Sequence, residues 1–577
     1  MIINLKQIIF LLKKYRLEAV LAPLFKMLEA LFDLAVPLIV AGIINEGVAS
    51  KDKASVLASF GVLILMAVLG IICSIAAQYF SAKAAVGISS ELRRRIFEHI
   101  QSLSFSEIDK AGTSALINRL TDDVNQVQNG LNMFLRLFMR SPFIVFGSMI
   151  MAFRIDVGIA LIFAWLIPIL FAIVAVLMYI VGKLYAKRQG KLDDAVAATR
   201  EGLEGVRVIR AFGREDDESA AAESINNNLA QLQLKAGRIG GLMNPLTYLA
   251  VNAGIVLILW QGGISVNTGK LLPGDVIALV SYISQILVEL IKLTSLIVLI
   301  GKAVVSMKRI GEALKLKNSM SFGIITDTSD YPEAVRLENA GLKYSGSADK
   351  ALFGINFSGR RGQTVGIIGG TGSGKSSLAG LIARFYDATE GNVYFMGKPI
   401  AEWSRETLRK KIAVVMQKTQ LLSGTIRSNL LFGRSDARES DMWEALETAQ
   451  AADFVRGKEG GLDSAVEQGG RNLSGGQRQR LSIARAVIAK PDILILDDSS
   501  SALDYATDRA LRAALKRLPK EMLVIIISQR TSSIQHADVI LVLDDGHLAG
   551  SGNHDYLLKN CDVYREIHES TSRKEAQ

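Results

Sequence analysis

Six long apolar runs lie in the first 300 residues of this chain and restrict its fold more than any other feature. Each is long enough to cross about 30 Å of hydrocarbon as a helix, which takes roughly 20 residues. The third run is the weakest, because Arg136 and Arg140 interrupt it. No comparable run follows Ile300, so the sequence predicts six membrane-spanning helices with both chain ends on one side. The runs are Ala19–Ile44, Ala54–Phe80, Phe134–Phe153, Val157–Gly182, Leu242–Ile264 and Val276–Ile300.

The composition agrees with a membrane protein. Half of the 577 residues are hydrophobic and 21% are charged, which excludes a disordered chain and argues against an ordinary soluble enzyme. The net charge is +10, and most of the excess lies in residues 1–330, with about 33 Lys and Arg against about 26 Asp and Glu. The basicity therefore indicates membrane topology and not nucleic-acid binding. Cys73 and Cys561 lie far apart, so neither a disulfide framework nor a cysteine-rich metal site is expected.

The distribution of Lys and Arg predicts the orientation. These residues cluster in the N-terminal segment and after the second and fourth runs, so those segments are expected in the cytoplasm. Two of these segments are about 50 residues long and have helical periodicity, which predicts that the membrane helices continue out of the bilayer as long rods. Each pair of rods would end in a turn that docks on a cytoplasmic domain. Residues 1–16 predict an amphipathic helix on the membrane surface, with a disordered basic leader as the alternative.

A phosphate-binding loop follows a short strand in the second half of the chain. The strand Val365–Ile368 leads into a G-x-x-x-x-G-K-S sequence and then a helix, which is the context that such a loop requires. Backbone N–H groups would face phosphate oxygens, Lys375 would reach the β- and γ-phosphates, and the Ser376 hydroxyl would bind Mg²⁺. ATP and Mg²⁺ are the expected cofactors. The candidate nucleotide-binding residues here are Gly369, Gly370, Thr371, Gly372, Ser373, Gly374, Lys375, Ser376 and Ser377.

Two further motifs follow the loop. The apolar strand Ile493–Leu496 ends at Asp497, which suits Mg²⁺ coordination at the carboxyl edge of a parallel sheet. Between the loop and this strand stands an L-S-G-G-Q sequence, formed by Leu473, Ser474, Gly475, Gly476 and Gln477. With these motifs in this order, nearly the whole chain resembles one half of an ABC exporter. The resemblance implies a head-to-tail dimer, in which each ATP lies between the phosphate loop of one half and the signature sequence of the other.

The resemblance also implies a fold and further site residues. The expected fold is an all-α six-helix transmembrane domain with long cytoplasmic helical extensions, followed by an α/β P-loop ATPase domain with a helical subdomain. Tyr344 matches the family's aromatic residue that stacks on adenine. Gln417 matches the family's glutamine that senses Mg²⁺ or the attacking water, and Asp504 matches the aspartate of the D-loop. Ser114–Val124 and Glu204–Phe212 resemble the two regions that dock on the ATPase domains. The expected boundaries are 1–16 for the surface helix, 17–315 for the membrane domain, 316–333 for the linker and 334–577 for the ATPase domain.

Two residues depart from the family pattern in the catalytic site. Asp498 stands where the family has the glutamate that polarises water, and aspartate is shorter by one C–C bond, about 1.5 Å. Gln529 stands where the family has a histidine at the γ-phosphate, and glutamine cannot carry a charge or shuttle a proton. The sequence therefore predicts a weakly hydrolysing site beside an intact signature. A heterodimer with a competent second half-transporter is the expected assembly, and a homodimer with two slow sites is the alternative.

The resemblance implies an ATP-hydrolysing translocase of a bacterial inner membrane, similar to subunits of heterodimeric multidrug exporters. It would move hydrophobic or amphipathic compounds, namely drugs, lipids or peptides, and an importer with the exporter-like fold is the alternative. Its partners would be the second half-transporter, the lipid bilayer and the substrate, without nucleic acid. Within the spans, Lys26, Glu29 and Asp33 share one helical face, and Glu289 and Lys292 are three residues apart. A substrate role and simple ion pairing are equally open for them.

Overall fold

The computed structural model describes residues 13–327, 331–499, 502–518 and 521–575. The chain forms two compact units. One contains the residues up to His99 together with Ser114–Lys315, and the other contains Ile100–Thr113 together with the residues from Leu316 onward. The surface helix predicted for residues 1–16 lies almost entirely outside the described residues.

Residues 13–313 fold into helices. A π-helical turn over Ile43–Val48 extends the first of them, and a second one over Arg119–Asp123 joins the fourth to the fifth. The helices are α1 Arg16–Gly42, α2 Lys53–Ser102, α3 Phe105–Ala111, α4 Thr113–Asn118, α5 Val124–Leu137, α6 Arg140–Ile155, α7 Val157–Glu204, α8 Val206–Ala211, α9 Glu215–Gly241, α10 Met243–Asn267 and α11 Pro273–Ala313.

Among the described residues, six helical stretches are long and apolar enough to cross a membrane, which confirms the predicted number. Helices α2 and α7 have 50 and 48 residues, so at 1.5 Å per residue each is over about 70 Å long, more than twice the hydrocarbon thickness. The predicted rods are thus continuous helices. The third stretch differs from the predicted single span, because a break at Phe138 and Met139 separates α5 from α6, between the two arginines of this run.

Close helix contacts in the membrane unit depend on small residues. The start of α11 meets the end of α1 at Gly274, where a Cβ atom would lie only 2.5 Å from the carbonyl oxygen of Ala41. The Gly274 N–H donates to the side-chain oxygen of Asn45 over 2.7 Å, and the Asn45 amide donates to Asp275 over 3.0 Å. A larger residue at Gly274 would push the two helices apart.

From Glu333 onward the chain alternates strands and helices. The strands are β1 Glu333–Leu342, β2 Leu352–Arg360, β3 Thr364–Gly369, β4 Glu390–Phe395, β5 Lys398–Pro399, β6 Ile412–Val415, β7 Gly424–Thr425, β8 Ala465–Val466, β9 Ile493–Asp497, β10 Leu523–Ile527, β11 Val539–Asp544 and β12 His547–Gly552. The helices are α12 Lys375–Ile382, α13 Arg405–Lys411, α14 Ile426–Gly433, α15 Glu439–Thr448, α16 Ala452–Arg456, α17 Gly475–Val487, α18 Tyr505–Leu515, α19 Thr531–Ile534, α20 His554–Asn560 and α21 Asp562–Glu575.

The main sheet has the order β12-β11-β3-β10-β9-β6 and is parallel except for β12 at its edge. A second, antiparallel sheet has the order β2-β1-β4-β5. Ile527 at the end of β10 pairs with Asp497 on β9 and with Ile367 on β3, so the carboxyl ends of these three strands meet at one edge. Parallel sheets bind their ligands at this edge. Between β6 and β9, helices α14–α17 form the predicted helical subdomain around a separate apolar core.

Candidate functional site

The phosphate loop joins β3 to α12 at the carboxyl edge of the sheet. Gly372 and Gly374 have φ angles of 86° and 95°, a left-handed conformation that favours glycine. A Cβ atom at Gly374 would lie 2.7 Å from the carbonyl oxygen of Ala351, and one at Gly369 would lie 2.2 Å from that of Leu543. The loop therefore needs glycine for its conformation and its close packing. It ends at the N-terminus of α12, where free N–H groups and the helix dipole attract anions.

The side chain of Lys375 folds back across the loop. Its ammonium group donates to the carbonyl oxygens of Gly369 and Gly370 over 2.9 Å and 2.6 Å. Burial lowers the pKa of Lys375, while the nearby charges of Asp497 and Asp498 act in the opposite direction. The cation is thus held where phosphate oxygens could take over these hydrogen bonds.

Asp497 is 9% exposed at the end of β9. Burial is the main cause that raises its pKa, and the neighbouring charge of Asp498 acts in the same direction, while a hydrogen bond from Ser376 and the charge of Lys375 lower it. The Ser376 hydroxyl and the Asp497 carboxylate thus lie side by side, with a second carboxylate nearby. Oxygen ligands in a region of excess negative charge fit Mg²⁺. Ser376 and Asp497 would hold the ion, and its charge would neutralise the phosphate oxygens during hydrolysis.

Asp498 follows with a φ angle of 46°, in the left-handed region, and its N–H donates to the carbonyl oxygen of Ile527 over 3.0 Å. Its carboxylate accepts a hydrogen bond from the side chain of Gln417 over 3.2 Å. Burial raises the pKa of Asp498, and the bond from Gln417 opposes this. The predicted catalytic pair Gln417 and Asp498 is therefore in direct contact.

One cleft of about 230 Å³ brings half of the predicted site residues together. Gln529 lies in its lining with the residues of the phosphate loop and the two aspartates. The lining residues are Ala351, Thr371, Gly372, Gly374, Lys375, Ser376, Ser377, Gln417, Asp497, Asp498 and Gln529. An anion with a bound divalent cation fits this combination of loop amides, ammonium and carboxylates.

The signature sequence forms the start of α17. The Ser474 side chain accepts a hydrogen bond from the N–H of Gln477 over 3.2 Å, and the Gln477 side chain accepts one from the N–H of Ser474 over 3.1 Å. Because the Ser474 hydroxyl acts as an acceptor here, its proton is available to a phosphate oxygen. Leu473 is buried, and Gly476 lies so close to Ala502 that a Cβ atom would be 3.0 Å from its carbonyl oxygen. Within the described residues, the signature does not line the cleft of its own phosphate loop.

Asp504 and Tyr344, like the signature and Gly369, Gly370 and Ser373 of the loop, are outside the cleft lining. The carboxylate of Asp504 caps α18 by accepting from the N–H of Thr507 over 2.8 Å, and this bond lowers the pKa of Asp504. The hydroxyl of Tyr344 donates to Ser377 over 3.0 Å, so its ring is held beside the helix that follows the phosphate loop. The ring also meets Tyr386 edge-to-face, with 5.0 Å between centroids.

The predicted first docking region is corrected by the structure. Ser114–Val124 belongs to the membrane unit, whereas α3, a few residues earlier, belongs to the ATPase unit. Asp109 on α3 accepts a hydrogen bond from the hydroxyl of Tyr386 over 2.7 Å. Phe105 packs on Phe385 with 4.8 Å between ring centroids. Helix α3 was not predicted, although Ser104 before it and Gly112 after it are helix start and stop signals.

Arg140, predicted only as an interruption of the third apolar run, joins charged residues of two other membrane helices. Arg140 donates to Asp33 on α1 over 2.7 Å and also pairs with Glu289 on α11. Glu289 accepts further hydrogen bonds from Ser141 over 2.7 Å and from Lys292 over 2.9 Å. Arg140 and Glu289 are 8% and 3% exposed. Three helices are thus connected by ion pairs, of which Arg140–Glu289 is buried, and this supports ion pairing for Glu289 and Lys292.

Lys26 and Glu29 form an ion pair on α1, and Lys26 also donates to Ser74 on α2 over 3.2 Å. Glu29, Asp33 and Ser74 line a second cleft, in the membrane unit between α1 and α2. The other lining residues are apolar or glycine: Phe32, Val36, Leu63, Met66, Ala67, Gly70 and Ile71. The face that carries Glu29 and Asp33 therefore borders open space as well as Arg140.

Comparisons with known proteins agree with this geometry. Residues 20–290 match the family model of the ABC transporter transmembrane region, and residues 352–501 match that of the ABC transporter ATPase domain. The chain is 35% identical over 573 residues to an ABC transporter ATP-binding protein of Mycobacterium tuberculosis, with 97% of each chain covered. An ABC transporter ATP-binding protein of Bacillus subtilis is 33% identical, with 98% of each covered.

More distant proteins extend the comparison. An ATP-dependent lipid A-core flippase of Photobacterium profundum is 29% identical, with 88% of this chain and 86% of the flippase covered. A bacterial Atm1-family ABC exporter solved with ATP bound superposes with a TM-score of 0.80 at 23% identity, covering 96% of this chain and 98% of that one, which shows the shared fold. The chain thus belongs to the ABC transporter family, as a half-transporter that joins a six-helix transmembrane domain to an ATP-hydrolysing domain.

Proposed function

We propose that this chain is one half of a heterodimeric ATP-driven exporter of hydrophobic or amphipathic compounds. Its own phosphate loop binds MgATP in a slowly hydrolysing site, with adenine against Tyr344. Its signature completes a competent site on a different half-transporter. The observation that carries the proposal is the pair Asp498 and Gln529, which line the ATP cleft where catalysis requires a longer carboxylate and a titratable ring.

The cleft supports ATP retention without efficient hydrolysis. The loop, Lys375, Ser376 and Asp497 have the positions needed to bind phosphates and Mg²⁺. Asp498 is held by its backbone at Ile527 and by Gln417, so its carboxylate cannot move outward without breaking one of these bonds. Misplacement of a catalytic group by about 1 Å reduces a rate by roughly a hundredfold. Gln529 donates a hydrogen bond at best, so it does not replace the missing proton transfer.

The signature, in contrast, has all the features of an anion site. Ser474 caps α17 with a reciprocal bond to Gln477, and the two glycines that follow leave the helix start accessible. A half-transporter that has lost catalysis but kept this site serves the ATP of its partner. The departures at Asp498 and Gln529, together with an intact signature sequence, favour a heterodimer over a homodimer with two slow sites.

Exposed apolar surface supports the presence of a second half. The side chains of Val208 and Phe212, at the end of the second pair of rods, are 61% and 75% exposed. In α2, none of the most hydrophobic 18-residue window is buried within the chain. Lipid covers apolar surface within a bilayer, but Val208 and Phe212 lie about 30 residues beyond the apolar part of α7, so a protein surface is the expected cover.

The substrate class is argued from the membrane unit. The cleft between α1 and α2 combines apolar walls with Glu29, Asp33 and Ser74, which suits compounds with an apolar body and a polar group. The likeness to lipid A-core flippases, which act on an amphipathic lipid, agrees with this class and with export. The bacterial relatives and the basic rods support a bacterial inner membrane, with the N-terminus and the ATPase domain in the cytoplasm.

The ATPase activity of purified proteins tests the proposal. The chain alone is expected to bind MgATP and to hydrolyse it slowly, and the complex with its partner half-transporter is expected to hydrolyse it faster. Replacement of the partner's catalytic glutamate by glutamine should then abolish the activity of the complex. Robust turnover by the chain alone, or full activity of the complex with the altered partner, would contradict the heterodimer and favour the homodimer.

Transport direction needs a separate measurement. Inside-out membrane vesicles that contain both halves are expected to accumulate an amphipathic fluorescent compound when ATP is added. Uptake in right-side-out vesicles, with loss from inside-out ones, would instead identify an importer with the exporter-like fold.

A further inference from the structure

We propose that Tyr386 is a positioning residue, which sets the ring of Tyr344 against adenine and transmits the presence of the base to helix α3 through Asp109. This inference rests on the proposed function, because it assumes that adenine binds at Tyr344. It assigns a role to a residue outside the phosphate-binding motifs, and it names a path by which adenine binding affects α3.

The backbone before Tyr386 is fixed by a buried arginine. Arg384 is 1% exposed and has a φ angle of 50°, and its guanidinium donates to the carbonyl oxygens of Ile400 over 3.1 Å and of Ser321 over 2.6 Å. The N–H of Phe385 donates to the carbonyl oxygen of Gly380 on α12 over 2.8 Å. The segment after α12 is therefore tied to the helix that begins at the phosphate loop.

The ring of Tyr386 is held between α12 and Tyr344. A Cβ atom at Gly380 would lie 3.3 Å from the ring of Tyr386, so the ring packs across this glycine. The ring meets that of Tyr344 at an interplanar angle of 89°, the edge-to-face arrangement that aromatic pairs favour. Tyr344 is fixed at its other end by the bond to Ser377. The contacts that orient Tyr344 thus include the bond to Ser377 and the ring of Tyr386.

The hydroxyl of Tyr386 leaves this cluster and reaches α3. It donates to Asp109 over 2.7 Å, and the ring of Phe105 lies 6.3 Å from that of Tyr386 and 4.8 Å from that of Phe385. Burial raises the pKa of Tyr386, and the bond to Asp109 adds to this, so the hydroxyl remains a donor at all physiological pH values. One side chain thus contacts both the predicted adenine platform and α3. A base that stacks on Tyr344 immobilises this cluster, and α3 is immobilised with it.

Binding measurements on the purified chain test the first step. Tyr386→Ala should weaken ATP binding about 2- to 10-fold, the effect of one aromatic contact, and should leave the binding of inorganic tripolyphosphate unchanged, since that probe has no base. Tyr386→Phe keeps the ring and should bind both as the unchanged chain does. An equal loss for both probes would indicate general damage and would overturn the inference.

Hydrogen exchange of Phe105–Ala111 tests the second step. ATP should slow exchange in this segment more than tripolyphosphate does, and Tyr386→Phe or Asp109→Ala, each of which removes the hydrogen bond, should remove the difference, with no further effect when combined. Tyr394→Phe is the matched control, because it also removes a bond between a tyrosine hydroxyl and a carboxylate, that of Glu338, but within the antiparallel sheet. An ATP effect that survives Tyr386→Phe would overturn the inference.

Tyr344→Ala separates this inference from the proposed function. Tyr344→Ala could weaken ATP binding and leave tripolyphosphate binding unchanged, while Tyr386→Ala changes the binding of neither probe. In that case adenine does bind at Tyr344, and only the proposed role of Tyr386 is wrong. If Tyr344→Ala does not distinguish the two probes, the placement of adenine itself is wrong.

Discussion

Lengthening the carboxylate at Asp498 and restoring a histidine at Gln529 should raise the ATPase rate of this chain. The N–H of Asp498 is bound to Ile527, and β9 and β10 pair up to Asp497, so the position of its Cα atom is fixed. Side-chain length then determines how far the carboxylate reaches towards the water. Asp498→Glu adds one C–C bond of about 1.5 Å, and recovery of the proper position is worth roughly a hundredfold, or about 2.7 kcal/mol of activation free energy.

The same substitution should lower stability. Asp498 has a φ angle of 46°, a conformation that aspartate tolerates better than glutamate, because the short side chain bonds locally to the backbone. We expect a decrease of about 1 kcal/mol in the free energy of unfolding. Rate and stability should therefore change in opposite directions, which excludes a simple explanation by better folding.

The assay measures ATP hydrolysis by the purified chain in lipid nanodiscs, with ATP binding measured in parallel. We expect Asp498→Glu to raise the rate, and the double variant with Gln529→His to raise it further. Asp545→Glu is the matched control, because Asp545 has a φ angle of 40° in the turn between β11 and β12 and is outside the cleft lining. A double variant that binds ATP normally and stays within twofold of the unchanged rate would refute the reasoning.

Three further predictions concern packing, charge and metal. Gly274→Ala should abolish folded protein in size-exclusion chromatography, because its Cβ atom would lie 2.5 Å from a backbone oxygen, whereas Gly301→Ala on the same helix meets nothing within 4 Å and should be neutral. Arg140→Ala should cost about 1–3 kcal/mol, because the buried Glu289 loses one of its two cationic partners and keeps Lys292, and Glu289→Gln should recover part of the lost thermal stability; no recovery would contradict the pairing. Chelation of Mg²⁺ should stop hydrolysis while ATP remains bound, and Ser376→Ala should raise the Mg²⁺ concentration required; unchanged Mg²⁺ dependence would argue against Ser376 as a ligand.

Most of the fold and the phosphate site could be predicted because both depend on local patterns. A span needs about 20 apolar residues in a row, and a phosphate loop needs its glycines, lysine and serine at fixed spacing. The docking helix was misplaced because a seven-residue helix has no strong periodic signal, and its partner Tyr386 lies 277 residues away from Asp109. The role of Arg140 was missed for the same reason, since its partners lie on two other helices.

The sequence by itself determined that six helices precede an ATPase domain, that the domain contains the signature and the phosphate loop, and that Asp498 and Gln529 occupy the two positions where the resemblance implies a glutamate and a histidine. These facts depend on which residues are present and on their order. Only the tertiary structure decided which residues meet: Gln417 with Asp498, Tyr386 with both Tyr344 and Asp109, and Arg140 with two acids. The physical reason is that an ion pair or ring contact depends on distances of a few ångströms, and packing sets those distances between residues far apart in the chain.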